Sequence, residues 1–305
     1  MISVIIPVFN EIGSLPELMD QLQKILHIYK KWEILFVDDG STDGSTEFLN
    51  DLSRKDENVT LIQFHRNYGK SAALAEGFKR AKGEYLITMD ADLQDDPAEI
   101  PNLVKKLEEG FDLVSGWKKE RKDPISKKIP SKIFNYVTRI MTGVKIHDFN
   151  CGLKIYRKAV IKTLDLYGGR HRYIPALAGH NKFRISEIQV NHRPRIHGVT
   201  KYGGSRLFHG FFDLISIIFM NRYTQQPLHL FGFFGLFCGL ASLTLEFYVI
   251  GRKIFSGHSF YEHLALMLFG AMLFILGLWF FSIGLIAEMI TRGAQEKESR
   301  VKQII

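Results

Sequence analysis

Along the first 115 residues the apolar and polar positions change period in a regular beat. Short apolar runs at residues 3–6, 33–37, 60–64, 85–89 and 112–115 read as strands. Between them, residues 15–29, 45–53, 71–81 and 98–108 carry helical spacing. In the first of these, Leu15, Leu18, Met19, Leu22, Ile25 and Leu26 recur as one buried face. Strand-helix alternation predicts an α/β fold with a mainly parallel sheet covered on both faces. Ligands of such sheets bind beyond the carboxyl ends of the strands. The residues just after each strand are therefore where chemistry is expected.

The beat stops after residue 116. Residues 118–132 carry Lys118, Lys119, Arg121, Lys122, Lys127, Lys128 and Lys132 against Glu120 and Asp123. A helix is expected over 133–141, a short strand after Asp148-Phe-Asn-Cys-Gly152, and another strand over 183–190. Residues 192–202 form a polar, basic, turn-rich loop. Residues 207–223 are apolar and aromatic with Asp213 and Arg222, the composition of a helix lying on a membrane surface.

The C-terminal third has a different character. From 228 to 251 Glu246 is the sole formally charged residue, and from 264 to 287 there is none. Each stretch matches the ~20 residues that cross a ~30 Å hydrocarbon layer. The expected organisation is a catalytic domain at 1–204, an interfacial helix and linker at 205–227, a two-helix transmembrane hairpin at 228–290 and a tail at 291–305. Gly232, Gly235, Gly239 and Ser242 in the first span, and Gly270, Gly277 and Gly284 in the second, form candidate packing faces that also permit self-association. Glu246, near one end of its span, is expected at the interface. Arg222 before the hairpin, with Arg292, Lys297 and Arg300 after it, favours both ends in the cytoplasm.

Composition narrows the classes. Two cysteines, Cys151 and Cys238, build no disulfide framework and fit a reducing compartment. The first residues lack the basic and long apolar regions of a cleaved signal peptide. A net charge of +8 suits anionic partners. Phosphates and anionic lipid rank above nucleic acid, because no zinc-finger, basic-zipper or stacked-aromatic RNA signature accompanies the charge.

Three strand ends carry carboxylates: Pro7-Val-Phe-Asn-Glu11, Val37-Asp-Asp-Gly-Ser-Thr-Asp43 and Met89-Asp-Ala-Asp-Leu-Gln-Asp-Asp-Pro97. Asp38-Asp39-Gly40 reads equally as a turn capping the next helix. Asp90 and Asp92 stand one residue apart, and carboxylates that close repel unless a cation lies between them. Oxygen ligands suit Mg²⁺ or Mn²⁺ held jointly with a substrate's phosphates; the alternative is a solvated acidic turn. His65-Arg-Asn-Tyr-Gly-Lys70 opens a helix where backbone amides and Lys70 can attract an anion, without the spacing of a phosphate-cradling P-loop.

Together these motifs resemble glycosyltransferase family 2 enzymes with the GT-A fold. Asp148-Phe-Asn-Cys-Gly152 and the Arg195…Gly198…Thr200-Lys-Tyr202 loop narrow the likeness to polyprenyl-phosphate hexosyltransferases and dolichyl-phosphate mannose synthases. The resemblance implies that Pro7, Phe9, Glu11, Val37, Asp39 and Lys70 hold the nucleotide part of the donor. It implies that Asp90, Ala91 and Asp92 bind the donor diphosphate, with Asp90, Asp92 and Gln94 as metal site. Lys118, Lys132, Arg172, Arg195 and Lys201 are implied as cations for the donor and acceptor phosphates, and Asp92 and Asp148 as catalytic residues. Two departures weaken the phosphate site: Ser115-Gly-Trp-Lys118 stands where the family often has Gly-Ser-Arg, and Lys132 where a second arginine is expected.

The implied reaction is inverting transfer of one hexose from a UDP- or GDP-sugar to undecaprenyl or dolichyl phosphate at the cytoplasmic membrane face. The product would serve glycosylation or cell-surface polysaccharide, and any flippase would be a separate protein. Two readings compete: transfer to a glycan or glycolipid, and a non-catalytic nucleotide-binding membrane scaffold. Processive synthesis is disfavoured, since Gln225-Gln-Pro227 is not the Gln-x-x-Arg-Trp pattern.

Overall fold

The computed structural model describes residues 1–119, 125–164, 166, 169–194, 226–257 and 259–295, without the side chains of 125–130 and 292–295. The chain divides into two compact units, Met1–Ile217 and Ile218–Ile305.

In the first unit, β1 (Ile2–Val8), β2 (Trp32–Asp38), β3 (Val59–Gln63) and β4 (Tyr85–Thr88) alternate with α1 (Leu15–Leu26), α2 (Ser45–Lys55) and α3 (Lys70–Arg80). A 3₁₀ turn at Pro97–Glu99 leads into α4 (Ile100–Glu108) and β5 (Leu113–Trp117). Then come α5 (Ile125–Thr142), β6 (Lys154–Arg157), α6 (Lys158–Ile161), a 3₁₀ turn at Arg170–Tyr173, α7 (Ile174–His180) and β7 (Ile185–Gln189). The strands lie in the order β3-β2-β1-β4-β6-β5-β7, all parallel to their neighbours except β6, which runs antiparallel to β4 and β5.

The sheet is apolar on both faces, as a covered parallel sheet must be. Ile2, Val4, Ile6 and Val8 of β1 pack against Leu15, Leu18, Leu22 and Leu26 of α1 on one side. Ile5 turns to the other side, where Leu35, Val37, Leu74 and Phe78 complete a second core. That alternation is the period-two geometry of a strand.

The structure moves some expected boundaries. α1 ends at Leu26, where the His27 backbone N–H still bonds to the Gln23 carbonyl. α5 starts eight residues before the expected 133, so the basic run after residue 124 continues a helix through Pro130. The direction of β6 was not read from the sequence: after α5 the chain returns between β4 and β5, antiparallel to both. The interfacial helix expected over 207–223 lies outside the described residues.

The second unit is a hairpin of α8 (Pro227–Ser256) and α9 (Leu264–Gln295), joined through a 3₁₀ turn at Phe260–His263. At 1.5 Å per residue these helices are long enough to cross a ~30 Å hydrocarbon layer. Both pass as membrane spans by length and composition, and little of either is buried within the protein. Phe233, Phe237, Leu240, Phe247, Met272 and Trp279 are exposed, a lipid-compatible surface.

The two helices cross at Gly235 and Gly277. A Cβ on either would lie 2.8 Å from the other's carbonyl oxygen, so only glycine permits this approach. Ser242 Oγ donates to the Gly270 carbonyl at 2.7 Å. Gly270, Gly277 and Gly284 of α9 thus meet α8 inside the hairpin. Glu246 turns its carboxylate onto Gly270 of the partner helix. A Cβ on Gly232 or Gly239, by contrast, would meet nothing across the hairpin.

Candidate active site

The site is built on the carboxyl ends of β1, β2 and β4. The loops after β1 and β2 are stitched together by polar contacts. The Asn10 N–H donates to Ser41 Oγ at 2.9 Å, the Thr42 N–H to the Asn10 side chain at 2.7 Å, and the Glu11 N–H to Ser45 Oγ at 3.1 Å. Asn10 itself holds a left-handed φ of 54°, a conformation asparagine tolerates. Asp38 is fully buried and accepts the Ser41 N–H and the Thr46 hydroxyl, so it is the turn-capping residue of the pair.

Asp39 does something else. It reaches across to the start of α3 and accepts the Tyr68 and Gly69 N–H groups at 2.6 and 2.9 Å. Burial raises its pKa above the usual value, those two hydrogen bonds oppose the rise, and Asp38 adds to it. Val37 is fully buried in the core, leaving only its backbone at the rim; Pro7, Phe9 and Glu11 are partly exposed there.

At the end of β4 four aspartates gather within seven residues. Asp90 forms an ion pair with Lys70 from the first turn of α3. Asp92 is nearly buried and accepts the Gln94 N–H at 3.2 Å. Leu93 between them holds φ 60° with its side chain buried in the core, a strained position for leucine that surrounding packing must enforce. Ala91 is buried, and its carbonyl accepts Ser14 Oγ at 2.7 Å.

Asp95 turns inward and pairs with Lys118 at 2.7 Å, with both side chains almost wholly buried. A Cβ on Gly152 would lie within 2.7–2.8 Å of the Asp90 and Asp95 carboxylates, which places both acids against that glycine's backbone. Burial alone would raise Asp90, but Lys70 and Lys118 overcome it and hold the carboxyl well below the usual range. Burial alone would lower Lys118, but Asp95 reverses it and pushes the ammonium up.

Two more charged groups close the site from below. Lys154 of β6 pairs in register with Thr88 and Ser115, is buried, and donates to the Cys151 carbonyl. Burial pushes its pKa down; Asp148 and Asp90 are among the charges that pull it back. Asp148, also buried, accepts the Asn150 N–H at 3.0 Å, while its carbonyl accepts Ser115 Oγ at 3.3 Å. Burial pushes the Cys151 thiol up to about 12, so it stays protonated and inert.

From the other side, His171 joins Ser71 through its ring Nδ1 at 2.9 Å. Burial, then Lys70 and Arg172, drive its pKa well below that of a free imidazole, so it remains neutral. Arg172 beside it has a buried Nε without a hydrogen-bond partner. A buried N–H left unpaired is costly, which suits a side chain awaiting an anion.

The strand-β7 exit clasps the acidic loop. Arg193 donates its backbone N–H to the Gln94 carbonyl at 3.0 Å, and its guanidinium meets Asp96 at 2.6 Å and Gln21 of α1 at 2.8 Å.

Lys70, Asp90 and Asp92 therefore come to one rim, with Asp39 and the 7–11 loop alongside, Asp148 buried beneath and Arg172 beside His171. Lys118 is committed to Asp95 instead of standing at the surface, and Lys132 is exposed on α5. Arg195 and Lys201 lie outside the described residues. Sequence reasoning missed Asp95, Lys154 and His171. Lys154 carried a signal, a lone lysine in the apolar strand Leu153-Lys-Ile-Tyr156, and Asp95 was part of the quoted acidic run.

Among the described residues no three His, Cys, Asp or Glu side chains converge as a complete metal cage. Two adjacent carboxylates fit a hard divalent ion that draws its other oxygens from a diphosphate and water. The low pKa of Asp90 keeps that ligand ionised.

Residues 3–165 match the family model for glycosyl transferase family 2. The chain is 39% identical over 297 residues to dodecaprenyl-phosphate galacturonate synthase of Rhizobium johnstonii, covering 95% of this chain and 88% of that protein. It is 35% identical over 306 residues to undecaprenyl-phosphate 4-deoxy-4-formamido-L-arabinose transferase of Salmonella choleraesuis, covering 100% and 92%. Among solved structures it is similar to glucosyl-3-phosphoglycerate synthase from Mycobacterium tuberculosis in complex with Mn²⁺, UDP-glucose and phosphoglyceric acid. That match has a TM-score of 0.55 at 16% identity, over 72% of this chain and 79% of the other. At that identity the likeness is one of fold, and it is the GT-A arrangement.

Proposed function

The chain belongs to glycosyltransferase family 2, and from that premise we propose that it moves one sugar from a nucleoside-diphosphate donor to a polyprenyl phosphate. The observation that carries this is the Lys70, Asp90 and Asp92 cluster at the end of β4, in a chain that also holds two apolar helices of spanning length. Two relatives named for polyprenyl-phosphate substrates align over nearly the whole chain, hairpin included, which supports a lipid acceptor over a soluble glycan.

In this reading the nucleoside lies over the 7–11 loop and Asp39. The donor diphosphate lies over Asp90 and Asp92, within reach of Lys70. Mg²⁺ or Mn²⁺ held by Asp90 and Asp92, with Gln94 beside them, would neutralise charge growing on the leaving diphosphate. Arg172 offers its buried Nε to a phosphate oxygen, and Arg195 and Lys201 follow on the same segment as the Arg193 clasp.

An oxygen of the lipid phosphate attacks the anomeric carbon from the face opposite the leaving group. The new carbon–oxygen bond forms as the bond to the diphosphate breaks, and the configuration inverts. A phosphate monoester with a second pKa of ~6 is already largely ionised at neutral pH, so it needs no general base. Asp148, buried and tied to Asn150, then serves to position neighbouring groups. Asp148→Asn should raise the KM for acceptor more than it lowers kcat; an abolished kcat with unchanged affinities would instead assign Asp148 as base.

The hairpin anchors the enzyme with its catalytic unit on the cytoplasmic side, and a separate protein carries the product across the bilayer. The test is release of nucleoside diphosphate from a panel of UDP- and GDP-sugars, with Mg²⁺ or Mn²⁺, with and without polyprenyl phosphate. Release that requires the lipid phosphate supports the reading. Release that requires a glycan instead would replace the acceptor.

A further inference from the structure

The acidic loop holds two lysine–aspartate pairs of different character. Lys118 and Asp95 are packed away, with side chains 9% and 0% exposed. Lys70 and Asp90 are partly exposed, at 23% and 35%. The first pair cannot part without burying an unpaired charge, which is strongly unfavourable. The second can part, because both partners can be rehydrated.

The geometry around Asp90 fixes which of its oxygens can change partners. Oδ2 lies against the Gly152 backbone, beside Asp95. Oδ1 carries the Lys70 ammonium. Any further cation approaching Asp90 from the Asp92 side must contend with that ammonium, since two positive charges on one carboxylate repel strongly at contact distance. Lys118 cannot yield, being held by Asp95, and His171, neutral beside Lys70, does not compete. Lys70 stands at the start of α3 on a long flexible stem, so it can swing without moving the helix.

We propose that Lys70 and the divalent cation exchange places on Asp90, so that arrival of the cation turns Lys70 out toward the donor diphosphate. This rests on the reading that Asp90 and Asp92 hold the metal. Lys70 guards the acidic pair against repulsion until the ion arrives and then serves the nucleotide. Metal and donor binding are coupled through one side chain. Removal of Lys70 therefore has opposite effects on the two ligands: Mn²⁺ alone binds more tightly, and the nucleotide binds more weakly.

The experiment uses the full chain in detergent with Mn²⁺ alone and then Mn²⁺ with UDP or GDP, whichever the donor panel selects. Bound Mn²⁺ is measured by electron paramagnetic resonance, and lysine exposure by amine acylation read by mass spectrometry. Acylation of Lys70 should rise about two- to fivefold with Mn²⁺, the range expected for releasing a partly exposed ion pair. It should fall again when nucleotide is added. Lys118 should stay protected throughout, and Asp90→Asn should expose Lys70 without metal. Lys70→Gln should tighten Mn²⁺ binding by a similar factor. Unchanged Lys70 acylation while Mn²⁺ binds and Asp92→Asn abolishes that binding would overturn the exchange and leave the metal reading intact. Mn²⁺ binding unaffected by Asp90→Asn and Asp92→Asn would overturn the metal reading, and the exchange with it.

Discussion

Lys118 and Asp95 show how much of this site is support. Their ion pair sits beneath Asp90, and cutting it by Lys118→Met leaves a buried carboxylate alone, a loss of about 3–5 kcal/mol. Thermal unfolding of the variant should begin well below that of the wild type. The double change Lys118→Met with Asp95→Leu should recover most of the loss, because no charge is then stranded. A single variant as stable as the wild type would contradict the assignment. His171 makes a separate prediction. Its folded pKa is depressed, so the unfolded chain binds the extra proton as pH falls below about 6.5, and stability declines from there down. Imidazole NMR should find His171 neutral at pH 6, whereas a titration centred near 6.5 would show that the ring is not buried as described. Asp90 has the same sign in a lower window: its folded pKa is also depressed, so its contribution is complete above the ordinary carboxylate range and is lost progressively as pH falls below it.

Elements place these residues, and they were unevenly legible in the sequence. The β1, β2 and β4 strands declared themselves through apolar runs ended by carboxylates, which brought Asp39, Asp90 and Asp92 to one rim without any structure. The direction of β6 was not legible, because Lys154–Arg157 has the same composition whether it pairs parallel or antiparallel. That direction is what carries Lys154 under the acids. Lys118 was legible as a cation but not as a buried one, since its partner Asp95 comes from another strand's loop. Gly152 belongs to the same category of contact made only in three dimensions. Gly152→Ala would push its methyl into the Asp90 and Asp95 carboxylates, which must shift. Turnover should fall by at least about tenfold while stability drops by only about 1–3 kcal/mol, the cost of a local overpacking. Equal turnover in the variant would mean that the acidic loop tolerates displacement and does not need its observed shape. In the hairpin, the seven-residue glycine stripe was visible in sequence, but its use was not. The fold spends Gly270, Gly277 and Gly284 on contacts between α8 and α9. Gly277→Leu should therefore splay the hairpin, seen as lost cross-linking between cysteines placed on facing positions of α8 and α9.

At the scale of the whole molecule, a family 2 sheet with an acidic rim is joined to an apolar hairpin, and the net charge of +8 suits a phosphate-bearing lipid at a membrane surface. A soluble acceptor would leave the hairpin without a catalytic reason. The direct test is mass spectrometry of the lipid after reaction of purified enzyme, divalent cation, polyprenyl phosphate and the selected nucleotide-sugar. The account predicts a lipid phosphate heavier by one glycosyl unit, absent when Asp92→Ala replaces the wild type. A lipid recovered unchanged, while the same enzyme glycosylates another acceptor, would contradict it.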